Sequence, residues 1–202
     1  MADLGPLHHC LGLLIERGEN SMRLSQKPYI HQIIQKFNME NCKPVATPAA
    51  YVKLSHKDGS KLADPNLYQS MVGSLLYAAV STRPEIAEAV GALAKFNACP
   101  TQTHLTAAKR VIRYLKGTKD LCLKFRKQGK PMVGYTDADY ASDADQHSKS
   151  SAVFINAGCP ISWSSKLKSP VNEMNKRTIV QPVEPGIEVM AKELTSKSPE
   201  IS

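Results

Sequence analysis

The sequence predicts an α+β fold, in which a mainly helical part is followed by an antiparallel sheet. Up to about residue 116, apolar residues recur three and four positions apart, which is the period of an amphipathic helix. From residue 121 the pattern changes to short extended stretches that are separated by turn residues. Because the period changes once, near Gly117, we place a domain boundary within residues 117–130.

The first region, residues 1–64, is predicted to contain a hairpin, a helix and a long connection. Residues 11–24 hold two extended stretches on either side of a polar turn, as in a hairpin. Pro28 suits the first turn of a helix. The apolar residues that follow it at helical spacing are Ile30, Ile33, Ile34 and Phe37. Residues 41–64 are polar and contain proline and glycine, so we expect little regular structure there.

The second region, residues 65–120, is predicted to be a cluster of helices. The first helix is nearly all apolar on one side, and the next opens at Pro84. Thr101 or Thr103 can cap the last helix at its start. Gly117 can close that helix in a left-handed conformation.

The positive charge of the chain is concentrated at the end of this helical cluster. The formal net charge is +8, and within residues 109–130 Asp120 is the only acid among many lysines and arginines. Such a surplus favours a polyanionic partner, and the competing interpretation is a solvated helix face. Four cations fall on a helical arc separate from the apolar residues: Lys109, Arg110, Arg113 and Lys116.

The third region, residues 121–195, is predicted to form a sheet and one helix, with residues 196–202 as a disordered tail. The predicted strands cover residues 121–125, 132–137, 152–155 and 161–165. An antiparallel meander is the natural arrangement of such closely spaced strands. The helical signal after them consists of Ile187, Met190, Ala191 and Leu194.

Asp137 and Glu188 fit one way of building a magnesium site. Asp137 ends a predicted strand and Glu188 lies on the helix that follows the sheet. Hard cations need oxygen ligands from rigid elements, and two ions about 4 Å apart can stabilise both oxygens of a phosphodiester displacement. Taken alone the pattern is ordinary, because an Asp at a strand end is usually a turn residue and a helical Glu is usually solvated.

Other signals narrow the class of protein. No apolar run approaches the roughly 18 residues of a membrane span, and the first residues lack the order of a secretory signal, so we expect an intracellular protein without a membrane partner. The five cysteines are scattered, which indicates reduced thiols. His8, His9 and Cys10 lack a second ligand pair at metal-binding spacing, so we predict no metal site there.

Eight segments of the chain stand out as an ordered set. They are LHHCLG (7–12), LSQKPYI (24–30), KPVATP (43–48), VGSLLY (72–77), TRPEIA (82–87), AAKRVIRYLKGT (107–118), GYTDADYA (134–141) and ISWSSK (161–166). In this order they resemble signature segments of copia-type retrotransposon polyproteins. The resemblance covers the end of the reverse transcriptase and the start of the ribonuclease H domain.

This resemblance implies a helical region like the thumb and connection of a polymerase, then a partial ribonuclease H-like domain. Asp137 matches the first metal-binding Asp of ribonuclease H, and Glu188 aligns with its catalytic Glu, so the resemblance implies Mg²⁺ on these two residues. In the family, the paired Asp residues of the polymerase lie upstream of residue 7 and further ribonuclease H carboxylates lie downstream of Glu188. We therefore expect this chain alone to lack both complete active sites and both activities.

Three interpretations of function follow from these observations. In the first, the chain is a polyprotein fragment that binds duplex nucleic acid or an RNA–DNA hybrid through Lys109, Arg110, Arg113 and Lys116, with the remainder of the polyprotein as a partner. In the second, another chain completes a magnesium-dependent ribonuclease H. In the third, the reading frame has decayed and its product has no selected role, which the altered stretch at residues 168–186 supports.

Overall fold

The computed structural model describes residues 7–50, 54–55, 59–62, 64–127, 131–139 and 149–167. The chain divides into two compact units, Met1–Lys124 and Phe125–Ser202. We call them the helical unit and the sheet unit. Both helices and antiparallel strands are present, which confirms the α+β class. The predicted helix around Glu188 and the predicted tail from residue 196 lie outside the described residues.

The first sheet of the chain has four strands. Its strands are β1 (His9–Cys10), β2 (Leu13–Gly18), β3 (Ser21–Ser25) and β4 (Leu123–Arg126), in the order β1-β2-β3-β4. The predicted hairpin is formed by β2 and β3, which pair antiparallel. The strand predicted near residues 121–125 was expected to join the later strands, and this expectation was wrong. The sequence of a short extended stretch does not indicate which strand it will pair with. Here β4 is the last strand of the first sheet.

The helices follow the predicted order. They are α1 (Lys27–Lys36), α2 (Asn66–Ser81), a 3₁₀ turn (Pro84–Ile86), α3 (Ala87–Ala94) and α4 (Gln102–Gly117). Their apolar faces form one hydrophobic core, to which α1 contributes Ile30, Ile33 and Ile34. In the part of the chain that the structure describes, no helix is long and apolar enough to cross a membrane.

Gly117 does not have the predicted left-handed conformation. It is the last residue of α4, and the helix ends at Thr118, whose φ is −120°. A glycine is favoured at this position for a different reason, because a Cβ added to Gly117 would lie 3.0 Å from Cβ of Pro44. The helix end and the connection after α1 therefore approach each other closely.

The sheet unit contains a three-stranded antiparallel meander. Its strands are β5 (Val133–Asp139), β6 (Lys149–Asn156) and β7 (Cys159–Leu167), in the order β5-β6-β7. This arrangement confirms the meander predicted for the last three strands. Gly134 allows the ring of Phe154 to lie against β5, since a Cβ on Gly134 would approach that ring to 2.9 Å.

Candidate nucleic-acid interface and candidate metal site

The position of α4 is fixed at its start and along its apolar face. The backbone N–H of Thr101 donates to Nδ1 of His104 at 3.1 Å, so Nε2 of His104 carries the proton that reaches the carbonyl of Ser55, also at 3.1 Å. His104 is fully buried and its ring stacks on Phe96. The other buried residues of α4 are Leu105, Ala108, Val111, Ile112 and Leu115.

The structure places the four predicted cations of α4 in two different environments. Lys109 is exposed, while Arg110, Arg113 and Lys116 are only partly exposed. No hydrogen bond or ion pair within the described residues engages the ammonium group of Lys109. The other three side chains all contact one segment of the connection after α1, residues 40–47, which we call the strap.

Three cations hold the strap against α4. Nη2 of Arg110 donates to the hydroxyl of Thr47 at 2.9 Å, and Nε of Arg113 donates to the carbonyl of Lys43 at 2.7 Å. The ammonium group of Lys116 donates to the carbonyl of Cys42 at 2.7 Å and also to that of Glu40. All these acceptors are neutral, so the positive charges of α4 are not cancelled by the strap.

A buried arginine, Arg83, lies beside the C-terminal end of α4. The sequence analysis did not single out this residue. Arg83 has no exposed surface, its Nε contacts Oε1 of Glu85 at 2.5 Å, and its Nη2 donates to the hydroxyl of Thr118 at 2.5 Å. The guanidinium group also lies over the ring of Tyr114, 5.9 Å from its centroid. Arg83 thus ties the turn between α2 and α3 to the end of α4. The signal that could have found it is the Thr-Arg-Pro-Glu motif, which places a Glu two residues from the Arg.

An exposed ion pair joins the start of α1 to the turn after α4. Nζ of Lys27 lies 2.6 Å from Oδ1 of Asp120. The hydrogen bond from Lys27 is the main cause that lowers the pKa of the Asp120 carboxyl, and the same hydrogen bond raises the pKa of Lys27. Both side chains are more than half exposed, so solvent screens this attraction.

Asp137 lies on β5 and its side chain is exposed. The register places Ser151 of β6 opposite Asp137, and Ser165 of β7 opposite Ser151, so the three residues form one row across the sheet. Within the described residues no group of three or more His, Cys, Asp or Glu side chains could hold a metal ion. Glu188 lies outside those residues, so the structure does not bring the predicted pair together. The row supplies one carboxylate, which is an oxygen ligand of the kind that Mg²⁺ prefers, and places two hydroxyls beside it.

The fold and these sites define an α+β protein with a cationic helix, and comparisons with known proteins show which proteins are homologous to it. The chain is 44% identical over 183 residues to the retrovirus-related Pol polyprotein from transposon TNT 1-94 of Nicotiana tabacum, covering 85% of this chain and 14% of the relative. It is 43% identical to the corresponding polyprotein from transposon RE1 of Arabidopsis thaliana, covering 82% of this chain and 11% of the relative. An uncharacterized mitochondrial protein of Arabidopsis thaliana, AtMg00810, is 34% identical, with 88% of this chain and 75% of the relative covered.

The chain is therefore a homologue of part of the retrovirus-related Pol polyproteins of copia-type transposons. It spans only a small part of the polyproteins themselves, about a seventh of the tobacco relative's length. No family model matches the chain. No solved structure matches it either.

Proposed function

We propose that the chain is a nucleic-acid-binding part of a transposon reverse transcriptase and ribonuclease H, and that α4 binds the phosphates of a duplex or an RNA–DNA hybrid. The observation that carries the proposal is the position of Lys109, Arg110, Arg113 and Lys116. All four lie on one arc of a helix whose apolar face is locked in the core. The cations are thus presented from a rigid element, and their charge is not cancelled by the neutral acceptors of the strap.

Phosphate contacts of this kind give binding that does not depend on base sequence and that weakens as salt rises. Each phosphate that a Lys or Arg neutralises releases counterions, which gives a slope of about −0.9 in log K against log salt for duplex DNA. Four such contacts would give a slope of about −3.6. The backbone contacts position the duplex, and recognition of base sequence is not part of the proposal.

Reversal of the four charges tests this proposal. We expect the variant with Lys109, Arg110, Arg113 and Lys116 all replaced by Glu to lose binding to a fluorescent RNA–DNA hybrid at low salt. The control moves the same charge reversals to exposed cations of other elements: Arg17, Arg23, Lys36 and Lys61. Circular dichroism checks that both variants keep their helices. If both variants lose binding equally, net charge alone accounts for the attraction and α4 is not the interface.

A second candidate function is a magnesium-dependent ribonuclease H that another chain or the rest of the polyprotein completes. The observation that favours it is the row formed by Asp137, Ser151 and Ser165 on the sheet. Asp137 and Glu188 would hold Mg²⁺, which would activate water and stabilise the leaving oxygen when bound. We expect no cleavage of an RNA–DNA hybrid by this chain alone. Cleavage by the original chain alone that disappears in an Asp137→Asn variant would contradict that expectation. Cleavage that requires both Asp137 and the rest of the polyprotein would establish the second function.

A further inference from the structure

We propose that the strap is an autoinhibitory element that occupies the phosphate-binding groups of α4 and must leave them before a duplex binds fully. The proposal rests on the nucleic-acid binding proposed above, and it adds a mechanism that regulates that binding. It predicts that a nucleic-acid duplex and the strap compete for the same N–H donors.

The contacts of the strap involve three of the four cations of the predicted interface. Arg110, Arg113 and Lys116 lie three residues apart in sequence, and each of them donates to the strap. Lys109 is the one member of the four-residue arc that the strap does not engage within the described residues. Lys109 therefore remains available as a first contact for phosphate while the strap is in place.

Competition follows from how the donors are used. Nε of Arg113 and two donors of Lys116 already point at backbone carbonyls, so they cannot also point at a phosphate in the same geometry. A phosphate oxygen is charged, so it forms a stronger hydrogen bond with a cation than a neutral carbonyl oxygen does. Phosphate can therefore displace the strap. The apparent affinity for the duplex is the intrinsic affinity multiplied by the fraction of molecules in which the strap is released.

The close approach of Pro44 and Gly117 provides a way to lock the strap. A Cβ on Gly117 would lie 3.0 Å from Cβ of Pro44, somewhat closer than the roughly 3.8 Å of a relaxed disulfide, so a small shift would allow the bond. We would combine Pro44→Cys with Gly117→Cys, and replace the neighbouring Cys42 by Ala to prevent mispairing. The Cys42→Ala chain alone is the background control.

Locking should weaken duplex binding reversibly. In the oxidised double-cysteine variant we expect at least about a tenfold loss of affinity for an RNA–DNA hybrid at low salt, together with a salt slope smaller by about 2.7, since three phosphate contacts of about 0.9 each are blocked. Reduction of the disulfide should restore both values. Unchanged affinity and slope in the oxidised variant would overturn the proposal while leaving nucleic-acid binding by α4 intact.

A second variant, expected to tighten duplex binding, tests the proposal even if the disulfide between positions 44 and 117 does not form. Gly117→Val places a branched side chain against Pro44 and should push the strap away, so we expect tighter duplex binding than in the original chain. The matched control is Gly73→Val in α2, where a Cβ would meet nothing within 4 Å. Weaker binding by Gly117→Val than by Gly73→Val would contradict the autoinhibitory role. If neither the original chain nor Gly117→Val binds a duplex, both proposals fail.

Hydrogen exchange distinguishes a displaced strap from a strap that forms part of the interface. Addition of a saturating hybrid should speed the exchange of amides in residues 40–47. The exchange of amides in α2, which serves as the reference helix, should not change measurably. Slower exchange in residues 40–47 on binding would show that the strap is held against the duplex, and would overturn the proposal.

Discussion

In the helical unit, Tyr68, Leu75 and Ile112 have no exposed surface, whereas in the sheet unit the large apolar residues Phe154 and Trp163 are only half-buried. The hydrophobic core cluster draws its residues from α1 to α4 and the turns between them. Among the residues of the sheet unit whose burial is described, Gly134 and Cys159 alone are buried. The same chain thus combines a well-packed helical region with a sheet whose described residues are mostly only partly buried.

This difference indicates that the two units derive their stability from different sources. Burial of apolar area is the main driving force of folding, and the helical unit has it in one contiguous cluster. An antiparallel sheet of three strands needs a hydrophobic face or packing against a helix to be stable independently. We therefore expect the stability of the helical unit to depend on core packing, and that of the sheet to depend much less on any single described side chain.

A matched pair of core truncations tests this difference between the two units. Leu75→Ala in α2 should lower the free energy of unfolding of the helical unit by about 4 kcal/mol, near the upper end of the range for fully buried leucines. Val153→Ala in β6 should cost about 1 kcal/mol or less, because Val153 is only half-buried and loses little transfer free energy. The two units can be followed separately in urea, by far-ultraviolet circular dichroism for the helices and by fluorescence of the single tryptophan, Trp163, for the sheet. Equal losses in the two variants would show that the sheet has a core of its own.

The buried arginine gives the next largest effect. Arg83→Met should destabilise the helical unit by about 3 kcal/mol, the lower end of the range for breaking a buried pair, because Glu85 is itself a third exposed. The methionine fills much of the volume but leaves Glu85 and Thr118 without their shared donor. Glu85→Gln is the control, since it removes the charge of Glu85 and retains an acceptor for Nε of Arg83. A loss as large in Glu85→Gln as in Arg83→Met would show that the attraction of opposite charges, and not the buried donor set, dominates.

Much of the fold was predictable from sequence, because a helix is indicated by the spacing of apolar residues within a short stretch of the chain. Ile30, Ile33 and Ile34 recur at helical spacing, and all three are buried in the core. The partner of β4 was not predictable, because a short extended stretch specifies a strand but not the strand beside it. The role of Gly117 was also missed, since it depends on Pro44, which is remote in sequence.

The candidate site was likewise only partly predictable from sequence. The cationic arc of α4 could be drawn from the sequence, because the helical period fixes which residues share a face. The strap contacts could not, since Arg113 and Lys116 bind backbone carbonyls and a carbonyl has no signature in the sequence. Asp137 was correctly expected on a strand, and its pairing with Glu188 remains a prediction.

The smallest expected effect concerns the ion pair of Lys27 and Asp120, which lies on the surface of the helical unit. The folded state lowers the pKa of Asp120 from its ordinary value of 3.8, so the stabilisation by this carboxylate is present above that value and is lost as pH falls through the lowered pKa. The pKa of Lys27 is raised from 10.5, so its share is present below that value and is lost as pH rises through the raised pKa. Asp120→Asn should therefore reduce stability slightly between these limits and not at all in strong acid, and added salt should diminish the difference. Urea unfolding at several pH values measures it, with Glu19→Gln, an exposed acid of the β2–β3 turn, as the control. A loss for Asp120→Asn that persists unchanged in acid or in high salt would mean that Asp120 acts through packing or hydrogen bonding of its side chain, and not through its charge.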